Sequence, residues 1–323
     1  MEVVLVDGAS TDNTRALMCE FALDNKDEFR RVVVLDNPKK TLPSGWNVAL
    51  REYKGDAIIK VDAHAVIPED FVSKNVRVLE TGEYICGGQR PNIIDKPTPF
   101  KETLLLAESS MFGSSIASYR NNPGKTYVKS LFHAAYRREV FEKVGFFNEE
   151  LVRTEDNEIH YRMRKAGYKL CFDPDIISYQ YTRSSLKAML KQKYANGYWI
   201  GKTSKVCPKC LSIFHFVPFA FVSAIIASGS VIGATGLAEC IKKRHNHTLG
   251  KGISALRKVT VVLTTVMLGL YALMASGMAA VSAFKAEDKR NITNACLPVL
   301  FLLLHLSYGI GTIAGLMDKS KRG

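Results

Sequence analysis

The chain has 323 residues and a formal net charge of +13, and 47% of its residues are hydrophobic. This length leaves room for about two domains. The sequence contains no basic and aromatic motif of a known nucleic-acid reader, which argues against a nucleic-acid partner. The positive charge is instead expected to face anionic lipid headgroups and a phosphorylated substrate.

Charged and apolar residues divide the chain into two regions. Residues 1–205 mix the two kinds as a soluble domain does, whereas residues 206–323 consist of long apolar runs joined by basic connectors. The sequence therefore predicts an α/β domain over residues 1–205 and a membrane domain over residues 206–323.

The first predicted element is a strand within MEVVLVDGASTDNT. Residues 3–6 form a continuous β-favouring apolar run, which is typical of a strand covered on both faces in a parallel sheet. Asp7 follows at the edge where open α/β sheets bind ligands. Ser10 or Thr11 is expected to cap the next helix, whose amides would point into the same crevice. Alternatively, Asp7 and Asp12 only satisfy turn and cap amides.

Strand and helix patterns then alternate in the βαβ rhythm of a parallel sheet. The predicted elements are a helix at 15–23, a strand at 31–35, a helix at 45–53, a strand at 57–61, a helix at 69–80 and a strand at 84–88. Beyond Pro91 the pattern is irregular until a helix begins in TEDNE and ends at Gly167.

The stretch VDAHA places Asp62 at the end of the third strand and His64 two residues later. Residues i and i+2 of an extended or tightly turned segment point the same way, so the two side chains are able to flank a metal-bound diphosphate. A carboxylate with an imidazole is a possible Mn²⁺ or Mg²⁺ site. The spacing equally allows Asp62 to be a strand-end cap and His64 a surface residue.

The stretch TEDNE crowds three acidic residues, Glu155, Asp156 and Glu158, into one helix start after Thr154, the expected N-cap. The helix dipole favours carboxylates there, which is a purely structural explanation. One of the three is also suited to act as a general base toward a substrate hydroxyl. The spacing alone leaves both interpretations open.

Three apolar runs, at 214–237, 259–284 and 295–317, contain no charged side chain. Each reaches the roughly 20 residues that a helix needs to span a bilayer, so we expect a multi-pass membrane protein. The N-terminus does not resemble a cleaved signal peptide, and the seven cysteines have no framework spacing. Both features favour a location of residues 1–205 on the cytoplasmic side of the membrane.

The orientation of the apolar runs has two solutions. The positive-inside rule favours a cytoplasmic KKRHNH loop, a cytoplasmic tail and an outside loop at 285–294, so that the first run enters and leaves on one side. Its SASGSVIGATG stretch has the small residues of a broken segment. Three plain spans are the alternative. The basic residues concerned are Lys242, Lys243 and Arg244 in the loop and Lys319, Lys321 and Arg322 in the tail.

The order of these features resembles the inverting family 2 glycosyltransferases of GT-A fold. Within them it is most similar to the membrane-attached enzymes of bacterial exopolysaccharide assembly, of the succinoglycan glucosyltransferase kind. The resemblance runs from residue 1 nearly to the end. It is carried by VDGASTDNT, GWNVALREYKGDAIIKVDAHA, FHAAYRREVFEKVGFFNEELVRTEDNE, LKQKYANGYW and HLSYGIG.

The resemblance implies a Rossmann-like nucleotide-sugar domain followed by a bundle of transmembrane helices. In the family the DGAS strand is the second of the sheet, so the usual first strand is expected to be missing here. A chain extended by about thirty residues, the span of one βα unit, is expected to be more active.

The donor side follows from the same resemblance. Asp7, with Gly8 and Ser10 of its motif, looks like the group that binds the nucleotide. Asp62 occupies the first position of the family's DxD motif, near ribose and diphosphate. His64 stands where the second, metal-binding Asp usually lies, and this departure leaves the identity of the expected Mn²⁺ or Mg²⁺ open.

On the acceptor side, Asp156 looks like the base that deprotonates the acceptor hydroxyl, and Glu155 like a residue that holds the acceptor or orients the base. Processive family members carry QxxRW, but here Gln192 is not followed by that Arg-Trp pair. This departure favours addition of one sugar to a lipid-linked acceptor. Tyr194 and Trp199 are expected to stack on the acceptor or to anchor the helix at the membrane interface.

The implied function is inverting transfer of a sugar from a nucleotide donor, expected to be a UDP-sugar, to a lipid-linked saccharide in exopolysaccharide or capsule synthesis. A polysaccharide assembly complex is a possible partner. The alternative is an inactive truncated remnant or scaffold in such a complex. A hydrolase needs no nucleotide crevice, and a transporter is disfavoured because the apolar runs carry no charge.

Overall fold

The computed structural model describes residues 1–113, 124–244, 250–286 and 290–319. Its strands are β1 (Glu2–Asp7), β2 (Arg31–Asp36), β3 (Ala57–Ile59), β4 (Ala65–Val66), β5 (Ile85–Gln89), β6 (Asn92–Ile93), β7 (Thr126–Val128), β8 (Ala135–Arg137), β9 (Leu170–Ile177) and β10 (Tyr179–Tyr181). Its helices are α1 (Thr14–Asp24), α2 (Leu42–Glu52), α3 (Phe71–Glu80), α4 (Pro99–Ser109), α5 (Arg138–Val144), α6 (Glu155–Lys165), α7 (Leu186–Val206), α8 (Val217–Arg244), α9 (Lys251–Lys285) and α10 (Leu297–Met317).

The strands and helices predicted between residues 3 and 88 all occur, with boundaries that differ by a few residues, and the structure adds the short strand β4. The helix predicted in TEDNE is α6, and Gly167 lies just after its end with a φ of +96°. Glycine adopts this left-handed conformation without the steric cost of a Cβ, which explains why the chain turns there.

The strand pairing differs from the single parallel arrangement predicted for the first three strands. β1 and β2 form a parallel pair of their own, while β3 joins a second sheet in the order β3-β8-β5-β9-β7. β3 pairs with β8 in antiparallel fashion. β8 comes from far along the chain, and a local βαβ pattern contains no information about that partner.

A third, small sheet has the order β4-β10-β6. The main core packs between the five-stranded sheet and helices α2, α5 and α6. It includes Leu50, Ile85, Tyr136, Ile159 and Phe172. This core fixes the end of β3 against the start of α6, which positions the candidate site.

The three apolar runs are the helices α8, α9 and α10, each long and apolar enough to cross a membrane. They indicate a membrane-associated protein. α8 runs unbroken through SASGSVIGATG, so the backbone has no break there. Lys242 and Lys319 are described, whereas Lys321, Arg322 and the side chains of Lys243 and Arg244 lie outside the described part.

The α/β region packs directly on the apolar helices through α4 and α7. Leu104 and Ala107 of α4 are buried with Phe301 of α10 and Ala275 of α9. The Thr103 hydroxyl lies 2.7 Å from Asn294 Oδ1 just before α10. The two regions of the chain therefore share one packed interface.

Candidate active site

A buried lysine joins two of the predicted site carboxylates. Lys60 follows β3, its backbone N–H donates to the Ala134 carbonyl at 2.9 Å, and the residue is only 2% exposed. Its Nζ donates to both carboxylate oxygens of Asp156, at 3.1 and 3.2 Å, and lies 3.9 Å from Asp62 Oδ1. The end of β3 and the start of α6 therefore meet at a single ammonium group.

Aromatic rings and further basic groups surround this lysine. Lys60 Nζ lies 5.1 Å from the ring centroid of Trp46 and 5.5 Å from that of Phe132, which is the geometry of a cation–π contact. The Arg90 guanidinium stacks 3.9 Å from the Phe132 centroid. His133 Nε2 lies 3.8 Å from Asp62 Oδ2. This environment presents positive charge beside the carboxylates.

The charged groups at the site shift one another's pKa values. Burial alone would raise the pKa of Asp62, but Lys60 and then His133 outweigh it and hold the pKa well below its usual range. Burial would lower the pKa of Lys60, yet Asp156 and Asp62 raise it. Burial raises the pKa of Asp156, and the Lys60 ammonium opposes that rise. Lys60 and Asp62 are therefore both charged at neutral pH.

Glu155 differs from its neighbour Asp156. It is 3% exposed, and its Oε2 atom has no hydrogen-bond partner among the described residues. Burial, followed by the charge of Asp156, raises the pKa of Glu155 to about 8. At neutral pH its carboxyl group is mostly protonated and can donate a hydrogen bond.

The Asp62 and His64 pair has two features of a cation site. Asp62 Oδ1 is buried and has no hydrogen-bond donor among the described residues. Burial lowers the pKa of His64, which keeps its imidazole in the neutral form that binds metals. His64 Nε2 also lies 2.5 Å from Gln180 Nε2. No cluster of three potential metal-ligating side chains occurs in the described ranges.

Asp7 lies in a separate turn after β1. It is 3% exposed, and its carboxylate accepts a hydrogen bond from the Ser10 backbone N–H at 3.2 Å. A Cβ at Gly8 would meet no atom within 4 Å. In the described part of the chain, no hydrogen bond or ion pair joins Asp7 to Asp62 or Asp156.

The prediction that Ser10 or Thr11 caps α1 is wrong. The N-cap residue is Asn13, whose side chain makes no capping hydrogen bond. Asp12 Oδ1 instead accepts from the Thr14 N–H at 3.0 Å. The turn before α1 is therefore longer than expected.

A cavity of about 360 Å³ lies between β1 and α1, away from the carboxylates joined by Lys60. It contains no predicted site residue, and its lining is almost wholly apolar: Val3, Leu5, Thr14, Leu17, Met18 and Phe21.

The predicted acceptor residues lie on α7, next to the start of α6. The Thr154 and Thr203 hydroxyl groups form a hydrogen bond that ties the two helices. Tyr194 is 40% exposed, whereas Trp199 is buried. The Oε1 atom of Gln192 is buried without a hydrogen-bond partner in the described residues.

Lys60, His133 and Arg90 also line the site, and none of them was predicted from the sequence. Only Lys60 has a local signal, because a lysine in the apolar run AIIKV interrupts an otherwise buried strand end. A buried lysine requires nearby carboxylates to compensate its charge, and Asp62 and Asp156 supply them.

Comparison with known proteins shows which family the chain resembles. Residues 1–145 match the family model for Glycosyl transferase family 2. The succinoglycan biosynthesis protein ExoA of Rhizobium meliloti is 30% identical over 200 residues, which are 60% of this chain and 58% of that protein. The chain thus spans less than two thirds of the length of that relative.

A second relative is the dolichyl N-acetyl-alpha-D-glucosaminyl phosphate 3-beta-D-2,3-diacetamido-2,3-dideoxy-beta-D-glucuronosyltransferase of Methanococcus voltae. It is 25% identical over 233 residues, which are 70% of each chain. The crystal structure of GalNAc-T7 with UDP, GalNAc and Mn²⁺ aligns over 66% of this chain and 46% of its own, with a TM-score of 0.43 and 17% identity.

The predicted family is thereby confirmed for the N-terminal part of the chain, and homologues bear the names of glycan-synthesis enzymes. Residues 1–145 therefore resemble glycosyl transferase family 2, and the α/β region that contains them is GT-A-like.

Proposed function

We propose that this protein transfers one sugar from a nucleotide donor, a UDP-sugar, to a lipid-linked saccharide acceptor in exopolysaccharide or capsule synthesis, with inversion at the anomeric carbon. The observation that carries the proposal is the Lys60 bridge between Asp62 and Asp156. These carboxylates are far apart in sequence, and their meeting supports a single site for donor and acceptor.

Asp156 is the proposed general base. Its side chain is 20% exposed, so an acceptor hydroxyl has access to it, and burial raises its pKa toward the range useful for proton transfer at neutral pH. The carboxylate takes the proton as the acceptor oxygen attacks the anomeric carbon. Attack on the face opposite the leaving diphosphate inverts the centre in one displacement.

Glu155 and Lys60 position this base. Lys60 contacts both oxygens of the Asp156 carboxylate and thereby fixes its plane. Glu155 is mostly protonated at neutral pH and only 3% exposed, so it is suited to orient the base rather than to contact the acceptor. The two neighbouring carboxyl groups thus carry different protonation states and different roles.

The donor is assigned to the strand-end residues. Asp7, Gly8 and Ser10 form the turn that would contact the nucleotide, and Asp62 lies toward its diphosphate. Enzymes of this family commonly use a divalent metal, and here Asp62 and His64 would hold Mn²⁺ or Mg²⁺ together with diphosphate oxygens and water. Such a cation, when bound, stabilises negative charge on the leaving diphosphate.

The acceptor is assigned to α7, on the side of the domain that packs on the apolar helices. Tyr194 is sufficiently exposed to stack on a sugar ring, and the buried Oε1 atom of Gln192 has no hydrogen-bond partner among the residues that the structure describes. The proximity of α7 to the start of α6, through Thr154 and Thr203, supports delivery of a lipid-linked hydroxyl to Asp156. Catalysis on the cytoplasmic membrane surface fits this arrangement.

The test is transfer of radiolabelled sugar from a panel of UDP-sugars into a membrane lipid extract, with and without Mn²⁺. Asp156→Asn is expected to lower the rate at least 100-fold, the typical scale of general base catalysis, while nucleotide-sugar binding persists. Glu150→Gln, at an exposed position near the same loop, is the matched control.

Two outcomes would contradict the proposal. Unchanged turnover in Asp156→Asn would remove that residue from its role. Complete lack of transfer by the wild-type protein, with every donor and metal, would favour the alternative function of an inactive scaffold in a polysaccharide assembly complex.

A further inference from the structure

The last apolar helix differs from the other two in its surroundings. In the most apolar stretch of α8 and in that of α9, only 6% is buried inside the protein. The corresponding share is 39% for the segment that contains α10. α10 packs along α7 with almost no space between the two backbones. A Cβ at Gly197 of α7 would overlap the Tyr308 carbonyl oxygen, and one at Gly315 of α10 would overlap that of Tyr198.

α7 and α10 run in the same direction and contact each other at several points. The Ser307 hydroxyl donates to the Leu190 carbonyl at 2.8 Å near the start of α7. Tyr198 hydrogen-bonds to Asp318 beyond the end of α10, and Lys202 Nζ lies 3.4 Å from the same carboxylate. α7 therefore accompanies α10 over most of its length.

α7 is too highly charged to lie in the hydrocarbon core of a bilayer. Lys187 and Lys191 are exposed on its surface, and Lys205 is exposed near its end. Lys193 forms a buried ion pair with Glu108 of α4 at 3.7 Å. Lysines inside a membrane are costly and rare, so a helix with this many belongs at the aqueous interface.

α8 and α9 form an antiparallel hairpin. The Phe221 and Tyr271 rings stack 4.4 Å apart near its base, and Glu239 pairs with Arg257 near its tip. From Phe221 to Glu239 the helix rises by about 27 Å at roughly 1.5 Å per residue. This rise matches the hydrocarbon thickness of about 30 Å.

We propose that only α8 and α9 cross the bilayer. α10 instead lies against α7 in the membrane surface that carries the glycosyltransferase domain, as an apolar floor beneath it. The polar groups at both ends of α10 then stay near water: Asn294 with Thr103 at its start, and Asp318 with Lys202 at its end. Residue 319 lies on the same side as the glycosyltransferase domain, and the hairpin tip lies on the opposite side.

The basic residues at the tip oppose this arrangement by the positive-inside rule if the glycosyltransferase domain is cytoplasmic. That rule describes a statistical preference for basic residues in cytoplasmic loops, and some membrane proteins depart from it. The α7–α10 packing is a stronger constraint, because α10 cannot span as a third helix without carrying the lysines of α7 into the bilayer or losing its glycine contacts.

The experiment uses three full-length variants with one cysteine each, the other cysteines being replaced by serine. The first retains Cys19 of α1, the second retains Cys240 near the tip, and both are exposed. The third has no native cysteine and carries Lys319→Cys. Each is treated with a membrane-impermeant maleimide in sealed right-side-out and inverted vesicles.

We expect Lys319→Cys to react from the same side as Cys19 and Cys240 to react from the opposite side. Reaction of Lys319→Cys from the side opposite Cys19 would establish three crossings and overturn the proposal. Reaction of Cys240 from the same side as Cys19 would show that the hairpin does not cross, and would also overturn it. If the cysteine substitutions prevent folding, protease accessibility of epitopes placed before Met1 and after Gly323 of the wild-type chain compares the sides of the two ends, and epitopes on opposite sides would overturn the proposal.

Discussion

At the scale of single residues, Lys60 determines how the site is assembled. A lysine that is 2% exposed requires compensating charge, and Asp156 and Asp62 supply it. In return, the ammonium group allows two carboxylates and Glu155 to lie together with little exposure to water. Removing one member of such a buried set leaves an uncompensated charge, which is more destabilising than loss of an exposed ion pair.

Lys60→Met is therefore expected to lower the free energy of unfolding by about 3–5 kcal/mol. The matched control is Lys39→Met, because Lys39 Nζ lies 2.7 Å from Glu149 but its side chain is 70% exposed. That exposed pair should contribute less than about 1 kcal/mol. Chemical unfolding of the detergent-solubilised protein measures both, and equal losses in the two variants would contradict the role of Lys60.

Glu155 gives a prediction about pH. Its pKa of about 8 in the folded protein lies above its usual value of 4.5, so the folded state binds a proton more tightly than the unfolded state. Stability from this group is present below pH 4.5 and is lost as the pH rises toward 8 and beyond.

Glu155→Gln should remove that loss, so the variant gains stability relative to wild type between pH 6 and pH 9, by on the order of 2 kcal/mol. The thermal midpoint measured at several pH values in the same detergent tests this difference. Glu139→Gln, on the first turn of α5, is the control. A constant difference between Glu155→Gln and wild type across this pH range would refute the assignment.

At the scale of elements, the α7–α10 pair depends on small residues. Glycines on both helices let the backbones approach so closely that a single methyl group has no space. Close approach of this kind allows extensive van der Waals contact between the two helices.

Gly311→Ala is expected to destabilise the protein by about 1–3 kcal/mol, because its Cβ would overlap the Tyr194 carbonyl oxygen in the facing helix. Gly229→Ala in α8 is the control, since a Cβ there would meet no atom within 4 Å. Replacing a helical glycine in open space should be neutral or stabilising by up to about 1 kcal/mol. The thermal midpoint in detergent distinguishes the two, and a harmless Gly311→Ala would mean that the helices are farther apart.

At the scale of the whole molecule, the α/β region and the apolar helices are not independent. Met189 of α7 and Leu104 of α4 are fully buried against α10. A fragment that ends with α7 would expose this apolar surface together with the glycine face of α7. Large exposed apolar patches cause aggregation.

We expect residues 1–206, expressed alone, to aggregate or to require detergent. Co-expression with residues 207–323 should restore a soluble complex in detergent, which is the control for correct folding of the fragment. Size-exclusion chromatography measures both the aggregation of the fragment and the formation of the complex. A monodisperse fragment in detergent-free buffer would show that the interface with α10 is dispensable.

The candidate site was predictable in part. Asp62 and Asp156 were identified from a strand end and a helix start, because local patterns locate both kinds of position. Lys60 and His133 were missed, since their role depends on groups distant in the chain. Asp7 follows β1, which belongs to a different sheet from β3, so local sequence patterns did not define its position relative to Asp62 and Asp156.

The sequence by itself determined the order of strands and helices up to β5, the helix α6 and the presence of three membrane-length apolar helices, because side-chain periodicity and run length are local properties. Only the tertiary structure decided that β8 lies between β3 and β5, that Lys60 joins two carboxylates, and that α7 covers α10. These features depend on which distant segments pack together. Pairing of that kind is set by the whole chain's burial of apolar surface and charge, and no short stretch encodes it.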